Sequence, residues 1–409
     1  MSALEWVRGR PQWVRDRAAR LRDDPAAIAW MLLVAFVYGG ATFVRSQASD
    51  WGPDHMMSLA SNLLVGRSDL THEQLTTIND LVTINGRSYQ AMSLLPTIPY
   101  LPLVPFQFLW PFSRWIVSAV IGILAGWLAL PLARRYGPGG PATYWLAAFG
   151  AFGTLLFTLT IEGDFYYLAH LEAVLLSFLL LIEWHDRRRP WAIGLLIGLA
   201  TLARPTLILA AVPFGLALLA EAEDRVRVSA AFAVPLLGAI LVTGWWDWGR
   251  FGSATETGYA IAWLDPRGNL QALRDQGLFS TTHVPTNLAL FLGGGYSVRD
   301  AFPWLVPSNQ GQSILLTMPA VLIAVGASLR ERLNLVLWGA VIVTAVPVFL
   351  YYGGGGASTY GYRYAMDFVP FLVALVAIAV RDRFGNLEKT LIALSVAFVC
   401  YGYIWEIYK

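Results

Sequence analysis

Residues 92–110 read MSLLPTIPYLPLVPFQFLW, and whether they cross a membrane decides how the rest of the chain is threaded. The stretch is long and apolar enough to span. It also contains Pro96, Pro99, Pro102 and Pro105. Each proline removes a backbone donor and obstructs helix, a heavy cost in lipid unless neighbours satisfy the freed carbonyls. We therefore read it as a re-entrant or juxtamembrane element that does not cross.

Loop charge supports that choice. Apolar spans read at about 26–44, 113–133, 143–160, 165–184, 190–203, 204–220, 228–249, 313–329, 333–350, 362–380 and 388–407. Arg134 and Arg135, Arg187 to Arg189, Arg225 and Arg227, Arg330 and Arg332, and Arg381 and Arg383 follow alternate spans. With about eleven spans, every cluster falls on one side, which the positive-inside rule makes cytoplasmic. This requires 190–220 to be a hairpin of two short helices breaking at Arg204-Pro205, as the restriction before proline favours. Were 92–110 to cross, the Arg134 and Arg187 clusters would both face outward.

Composition sets the class. Of 409 residues 56% are hydrophobic and only 14% charged, well under the usual quarter. The chain reads as an all-α polytopic membrane protein; the alternating segments of a barrel are not seen. A net charge of +2 does not suggest a nucleic-acid partner, and one cysteine, Cys400, allows neither a disulfide framework nor a zinc site. Arginines from Arg8 to Arg22 precede the first span, which reads as an uncleaved signal anchor with a cytoplasmic N-terminus, residues 1–25. The whole chain, 1–409, reads as a single transmembrane domain. Residues 45–112, 250–312 and 351–363 face the exterior, and the IEGD turn at 161–164 joins them.

The first exterior segment concentrates the chemistry. Asp50, Asp54, Asp69, Glu73 and Asp80 lie there among aromatics and amides. Met56, Leu59, Ala60, Leu63 and Leu64 follow the spacing of one helix face, with Pro53 at the first helical position and Gly66 as the stop. This predicts an amphipathic helix over 54–65 lying on the membrane surface, with Asp54 in its first turn. A carboxylate held there can take a proton from a bound hydroxyl. Each acid is equally explained by the helix dipole alone.

Several short motifs then carry a resemblance. They are Gly86-Arg-Ser-Tyr89 before the prolines, LATLARPTLIL at 199–209, WGRFGSATETGY at 248–259 and GYRYAMDFVPF at 361–371. With the topology, they resemble bacterial membrane glycosyltransferases of the GT-C superfamily, such as protein O-mannosyltransferases and lipid A aminoarabinose transferases. The resemblance implies a multi-pass cell-membrane enzyme with an extracytoplasmic site. It would pass a sugar from a polyprenyl-phosphate donor, held among membrane lipids, to a glycan, lipid or protein acceptor. The family's essential acid matches Asp50 or Asp54. Asp54 opens D-H-M-M-S-L-A, where Met57 stands in place of the expected aromatic. A second acid matches Glu162 or Asp164 by location. No cofactor is firmly implied; a divalent metal on Asp50, Asp54, His55 and Asp164 stays open.

Other residues are substrate-binding candidates. His170 and Glu172 are ionisable within a span, and so are functional candidates or interhelical hydrogen-bond partners. Arg204 and Arg363 suit a lipid-linked phosphate through the planar guanidinium fork, or snorkel to the interface. Tyr89 and Tyr362 join them, and Tyr362, like Tyr360, Tyr364, Trp245, Trp246 and Trp248, also fits an interfacial aromatic belt. The expected reaction is a direct, inverting displacement with Asp54 or Asp50 as general base. Two rivals remain: a transporter or flippase of a lipid-linked sugar, and an inactive scaffold of the same fold.

Overall fold

The computed structural model describes residues 24–48, 54–71, 74, 80–264, 269–356 and 359–408. The chain is an all-α polytopic membrane protein. Its helices are α1 (Pro25–Gln47), α2 (His55–Leu64), α3 (Ser113–Tyr136), α4 (Gly140–Phe152), α5 (Leu156–Glu162), α6 (Phe165–Asp186), α7 (Pro190–Ala203), α8 (Ala211–Glu221) and α9 (Arg225–Phe251). They continue as α10 (Leu270–Arg274), α11 (Val284–Gly293), α12 (Ile314–Thr317), α13 (Arg332–Leu350), α14 (Val369–Ala379) and α15 (Asn386–Tyr408). Among the described residues seven helical segments are long and apolar enough to cross a membrane, and 190–203, 205–221 and 369–379 form shorter apolar helices. The segment 314–326 is apolar too, split between α12 and the 3-10 turns of Pro319–Gly326.

Residues 92–110 do not form a continuous helix. The prolines hold them as two 3-10 segments, Leu95–Leu103 and Gln107–Phe112, the second leading directly into α3. The hairpin break falls where expected. Arg204 is extended at φ −135°, and Pro205 opens a 3-10 turn before α8.

The arginine clusters gather at one end of the bundle. Arg134 pairs with Asp24 at the start of α1, and Arg135 forks onto Asp186 at 2.7 and 2.6 Å. Arg188 meets Glu221 at 3.0 Å, and Arg381 donates to the Tyr136 carbonyl at 2.9 Å. At the opposite end Arg45 meets Glu162 at 3.6 Å, and α2 packs under the 3-10 segment Leu95–Leu103.

A close helix pair sets the hairpin's position. Gly194 and Gly198 of α7 face α9 as a G-x-x-x-G pair. A Cβ on Gly194 would lie 2.1 Å from the Phe232 carbonyl oxygen, so the two backbones touch there. The rest of α9 leaves Val234, Leu237 and Leu241 exposed, as a lipid-facing helix does.

Two features differ from the sequence reading. The helix α2 does not lie exposed on a surface: residues 55–60 and Asn62 are buried. Its polar face also finds partners, since the Asn62 amide donates to the Asp69 carbonyl at 2.7 Å and to Gln74 at 2.9 Å. Asp54 is its N-cap rather than a first-turn residue. The stop at Gly66 is as read, with φ +76°. Second, two β-hairpins appear, β1 (Leu81–Ile84) with β2 (Arg87–Gln90), and β3 (Tyr296–Val298) with β4 (Leu305–Pro307). The first turns on Asn85 and Gly86 at φ 51° and 74°, the geometry that Asn-Gly adopts most readily. It is stitched to the second long insert, where Trp263 N–H donates to the Leu81 carbonyl at 2.8 Å and Asp80 N–H to the Trp263 carbonyl at 3.1 Å.

Candidate functional site

Asp54 stands at the head of α2 with its side chain turned back on the helix. One carboxylate oxygen accepts from Met56 N–H at 3.0 Å, the capping bond that Asp makes best. The other accepts from the Ser113 hydroxyl at 2.9 Å. That hydroxyl also lies 2.8 Å from the Trp110 carbonyl. It has one hydrogen for two acceptors, so it donates to Asp54 when the carboxylate is ionised. It turns to Trp110 when Asp54 carries a proton and donates instead. Tyr100, buried in the 3-10 segment, stands beside Asp54 and favours its charged form.

The IEGD turn comes to the same place. Gly163 sits at φ +60°, and a Cβ there would meet the Trp115 ring at 2.9 Å, so both backbone and space call for glycine. Asp164 follows as the N-cap of α6, accepting from Tyr166 N–H at 3.4 Å. Asp54 and Asp164 both feel the charge of Arg114. Burial pushes the Asp54 carboxyl above the usual carboxylate range, against Arg114, the bonds from Ser113 and Met56, and Tyr100. Asp164 is raised likewise, by burial first, with Arg114 opposing and the Asp54 charge adding to the rise. Two carboxylates facing one cation do not ionise independently. His55, packed on Phe165 at 5.3 Å between centroids, is pushed down to about 4 by burial and then by Arg114, so it is neutral at pH 7.

Arg363 lies next along this belt. Its Nη1 donates to Thr359 at 2.9 Å and its Nη2 lies 3.4 Å from the Tyr364 hydroxyl. Tyr166, Tyr167 and Tyr364 surround the guanidinium at 5.1–5.8 Å. It is 8% exposed, its Nε has no hydrogen-bond partner among the described residues, and no carboxylate there lies within ion-pair distance. Asp80 and Asp164 feel its charge at longer range. Asp80 was only one of five acids in the sequence reading. It is held in the left-handed region at φ 58°; burial raises its pKa while Tyr166, Arg363 and Arg274 pull it down. A non-glycine residue in that region is a point of backbone strain of the kind that gathers at functional sites.

Arg204 is already engaged. Its fork closes on Asp367, Nε to Oδ1 and Nη2 to Oδ2, each at 3.1 Å, and the Thr206 hydroxyl adds a bond of 2.6 Å. Asp367 is fully buried and had not been singled out from sequence. The signal available was an acid within one apolar run answering an arginine within another. His170 Nδ1 approaches Asp367 to 3.4 Å, yet neither ring nitrogen makes an aligned hydrogen bond. Arg204 also stacks on Tyr364 at 5.2 Å, which links this pair to the Arg363 cage.

The remaining candidates fall elsewhere or inside the packing. Glu172 is buried with Oε2 unbonded. Tyr89 packs edge-on against Phe251 at 5.9 Å, and Tyr362 against Phe291 at 5.4 Å. Trp246 is no belt residue: it is buried and donates to the Met92 carbonyl at 3.2 Å, whereas Trp245 and Trp248 are exposed. Asp50 and Glu73 lie outside the described residues. Among the described residues no three His, Cys, Asp or Glu side chains converge as metal ligands. None of the outlined cavities is lined by Asp54 or Arg363.

No family model and no curated protein matches the chain. Among solved structures it is similar to ArnT from Cupriavidus metallidurans bound to undecaprenyl phosphate, at 14% identity and a TM-score of 0.49. The match covers 91% of this chain, which spans 64% of the length of that protein. A likeness of that size leaves the chemistry to be read from this chain's own residues.

Proposed function

We propose that this chain is a membrane glycosyltransferase of the GT-C type, acting on a sugar carried by polyprenyl phosphate and on an acceptor outside the cytoplasm. The observation that carries the reading is the meeting of Asp54 and Asp164 around Arg114, with Arg363 next to them in an aromatic cage and without a carboxylate partner. The family-like motifs at 199–209, 248–259 and 361–371 support it, as do the arginine clusters gathered at the opposite end, which make that end cytoplasmic.

In this reading Asp54 takes the proton of the acceptor hydroxyl. The freed oxygen attacks the anomeric carbon as the carbon–oxygen bond to phosphate breaks, and the phosphate leaves with the bonding pair. One displacement inverts the centre. Arg363 faces the growing charge on the departing phosphate, where a preorganised cation contributes most. Asp164, sharing Arg114, holds the electrostatics under which Asp54 ionises.

The pH profile follows. A base works only when deprotonated, and the raised Asp54 pKa puts the acid limb of kcat/KM above the usual carboxylate value of about 4. Arg114 favours the charged form, so Arg114→Gln should move that limb to higher pH. A limb that stays put or moves down would remove Asp54 from the role.

The direct test uses the purified chain in vesicles with polyprenyl-phosphate sugars. Free polyprenyl phosphate should appear with transfer, and Arg363→Gln should weaken binding of sugar-free polyprenyl phosphate by about ten-fold or more, the size of a lost charge-assisted bond. Movement of the intact donor across the vesicle without its consumption would replace the enzyme by a transporter. Bound carrier lipid with no turnover would leave an inactive scaffold.

A further inference from the structure

The arginine-rich end holds a groove that the proposed reaction does not use. It has a volume of about 460 Å³ and lies between α6, α8 and α13. Its walls are apolar, with Trp184, Pro213, Leu216, Ala217, Leu333 and Val336 among them. Leu216 and Leu335 are more than half exposed, so the groove opens towards lipid. At its mouth three helix ends converge and supply Arg188, Glu221 and Arg332. From Glu221 back to Pro213 is two turns of α8, about 12 Å at 1.5 Å per residue, so the groove runs from a charged rim into the hydrocarbon layer.

The rim is built rather than incidental. Arg188 sits at φ 48°, a left-handed backbone that arginine rarely takes. Its guanidinium stacks on Trp184 at 5.0 Å. Its Nε donates to the Trp184 carbonyl at 3.1 Å and its Nη1 to Glu221 at 3.0 Å. This fixes the plane of the guanidinium and leaves Nη2 unclaimed among the described residues. Arg332, across the groove, has no carboxylate within ion-pair distance among them, so the rim carries one positive charge in excess.

We propose that this groove binds one anionic phospholipid of the adjoining leaflet. The phosphate lies between Arg188 and Arg332, and an acyl chain lies along α8 and α13. Basic rims between membrane helices select such headgroups because a zwitterionic lipid brings its own cation to the arginines and an anionic one does not. The guanidinium fork is the donor shape that a phosphodiester accepts.

The test is lipid retention by the purified full chain, read by native mass spectrometry after exchange into micelles holding equal phosphatidylglycerol and phosphatidylcholine. The wild type should retain phosphatidylglycerol about ten-fold over phosphatidylcholine. Arg188→Gln with Arg332→Gln should bring that ratio near one. Arg227→Gln with Arg383→Gln, which removes the same charge from the same end, should leave it unchanged. Ala220→Trp, which fills the groove near its mouth, should lower retention of the lipid with both rim arginines in place. Equal loss in both double variants would reduce the effect to overall charge, and full retention in Ala220→Trp would place the lipid elsewhere; either result overturns the proposal. Where the first double variant does not fold, Ala220→Trp and Arg332→Gln alone decide the matter.

Discussion

Asp54→Asn is expected to lower sugar transfer by roughly 10²–10⁴-fold, the usual contribution of a positioned general base, with little change in melting temperature. The choice of asparagine matters. Asparagine caps a helix about as well as aspartate, so its oxygen keeps the bond from Met56 N–H, while the Ser113 hydroxyl accepts from its amide N–H and donates to the Trp110 carbonyl instead. What disappears is the ability to hold a proton. Asp54→Ala removes the cap as well, at about 1 kcal/mol, so the difference between the two variants separates architecture from chemistry. Asp164→Asn is the matched comparison, because Asp164 caps α6 in the same way and meets the same Arg114. Transfer within three-fold of wild type in Asp54→Asn, with loss in Asp164→Asn, would move the base to the IEGD turn. Near-normal transfer in both would end the two-carboxylate reading.

The fold was legible where one physical term dominated. Apolar length gave the long helical segments, and proline chemistry kept 92–110 from forming one continuous helix. Local chemistry likewise gave a short helix within 54–65 (though not its start at His55), its stop at Gly66 and the break at Arg204-Pro205. What could not be read was which side of α2 would be covered. Hydrophobic spacing assumes that one face meets water, but here the polar face is buried too, because Asn62, Asp54 and His55 find partners on Gln74, Ser113 and Phe165. The β1–β2 hairpin was legible and passed over. Asn85-Gly86 between VTI and RSY is a strong short-range turn signal, but in a chain so rich in helix the same glycine also reads as part of a motif with Tyr89.

The candidate site divides on sequence distance. Asp54 and Asp164 each stand at a helix start, and both could be picked out singly. Their sharing of Arg114 could not be, since it depends on how α3 and α6 begin side by side. Arg363 was visible as a cation at the edge of an apolar run. Its aromatic cage draws Tyr166 and Tyr167 from α6, almost two hundred residues earlier, and no local pattern announces such a meeting. Arg204 was the more instructive case. The fork suits a phosphate or a carboxylate equally well, and here the carboxylate comes from the chain itself.

That pair carries the largest stability effect expected of any single substitution. Asp367→Asn should destabilise the protein by about 3–5 kcal/mol, as removing one partner of a buried ion pair does. Asp367 is fully buried and accepts both nitrogens of Arg204 as well as the Thr206 hydroxyl. An asparagine of the same size would drop the charge and turn one donor towards the guanidinium, leaving Arg204 uncompensated among the apolar ends of α7 and α14. Arg204→Met combined with Asp367→Leu should recover most of the loss, because an apolar pair of similar volume often matches a buried ion pair. Unfolding in graded detergent mixtures measures both, and the transfer assay then decides what the pair is for. A stable and active double variant would make the pair purely architectural. A stable but inactive one would mean that Arg204 touches the reaction through the Tyr364 ring it stacks on, and so through Arg363. A loss under about 1 kcal/mol in Asp367→Asn, the range of a solvent-screened pair, would show that water reaches this pair and that the end of α7 is far more open than its packing implies.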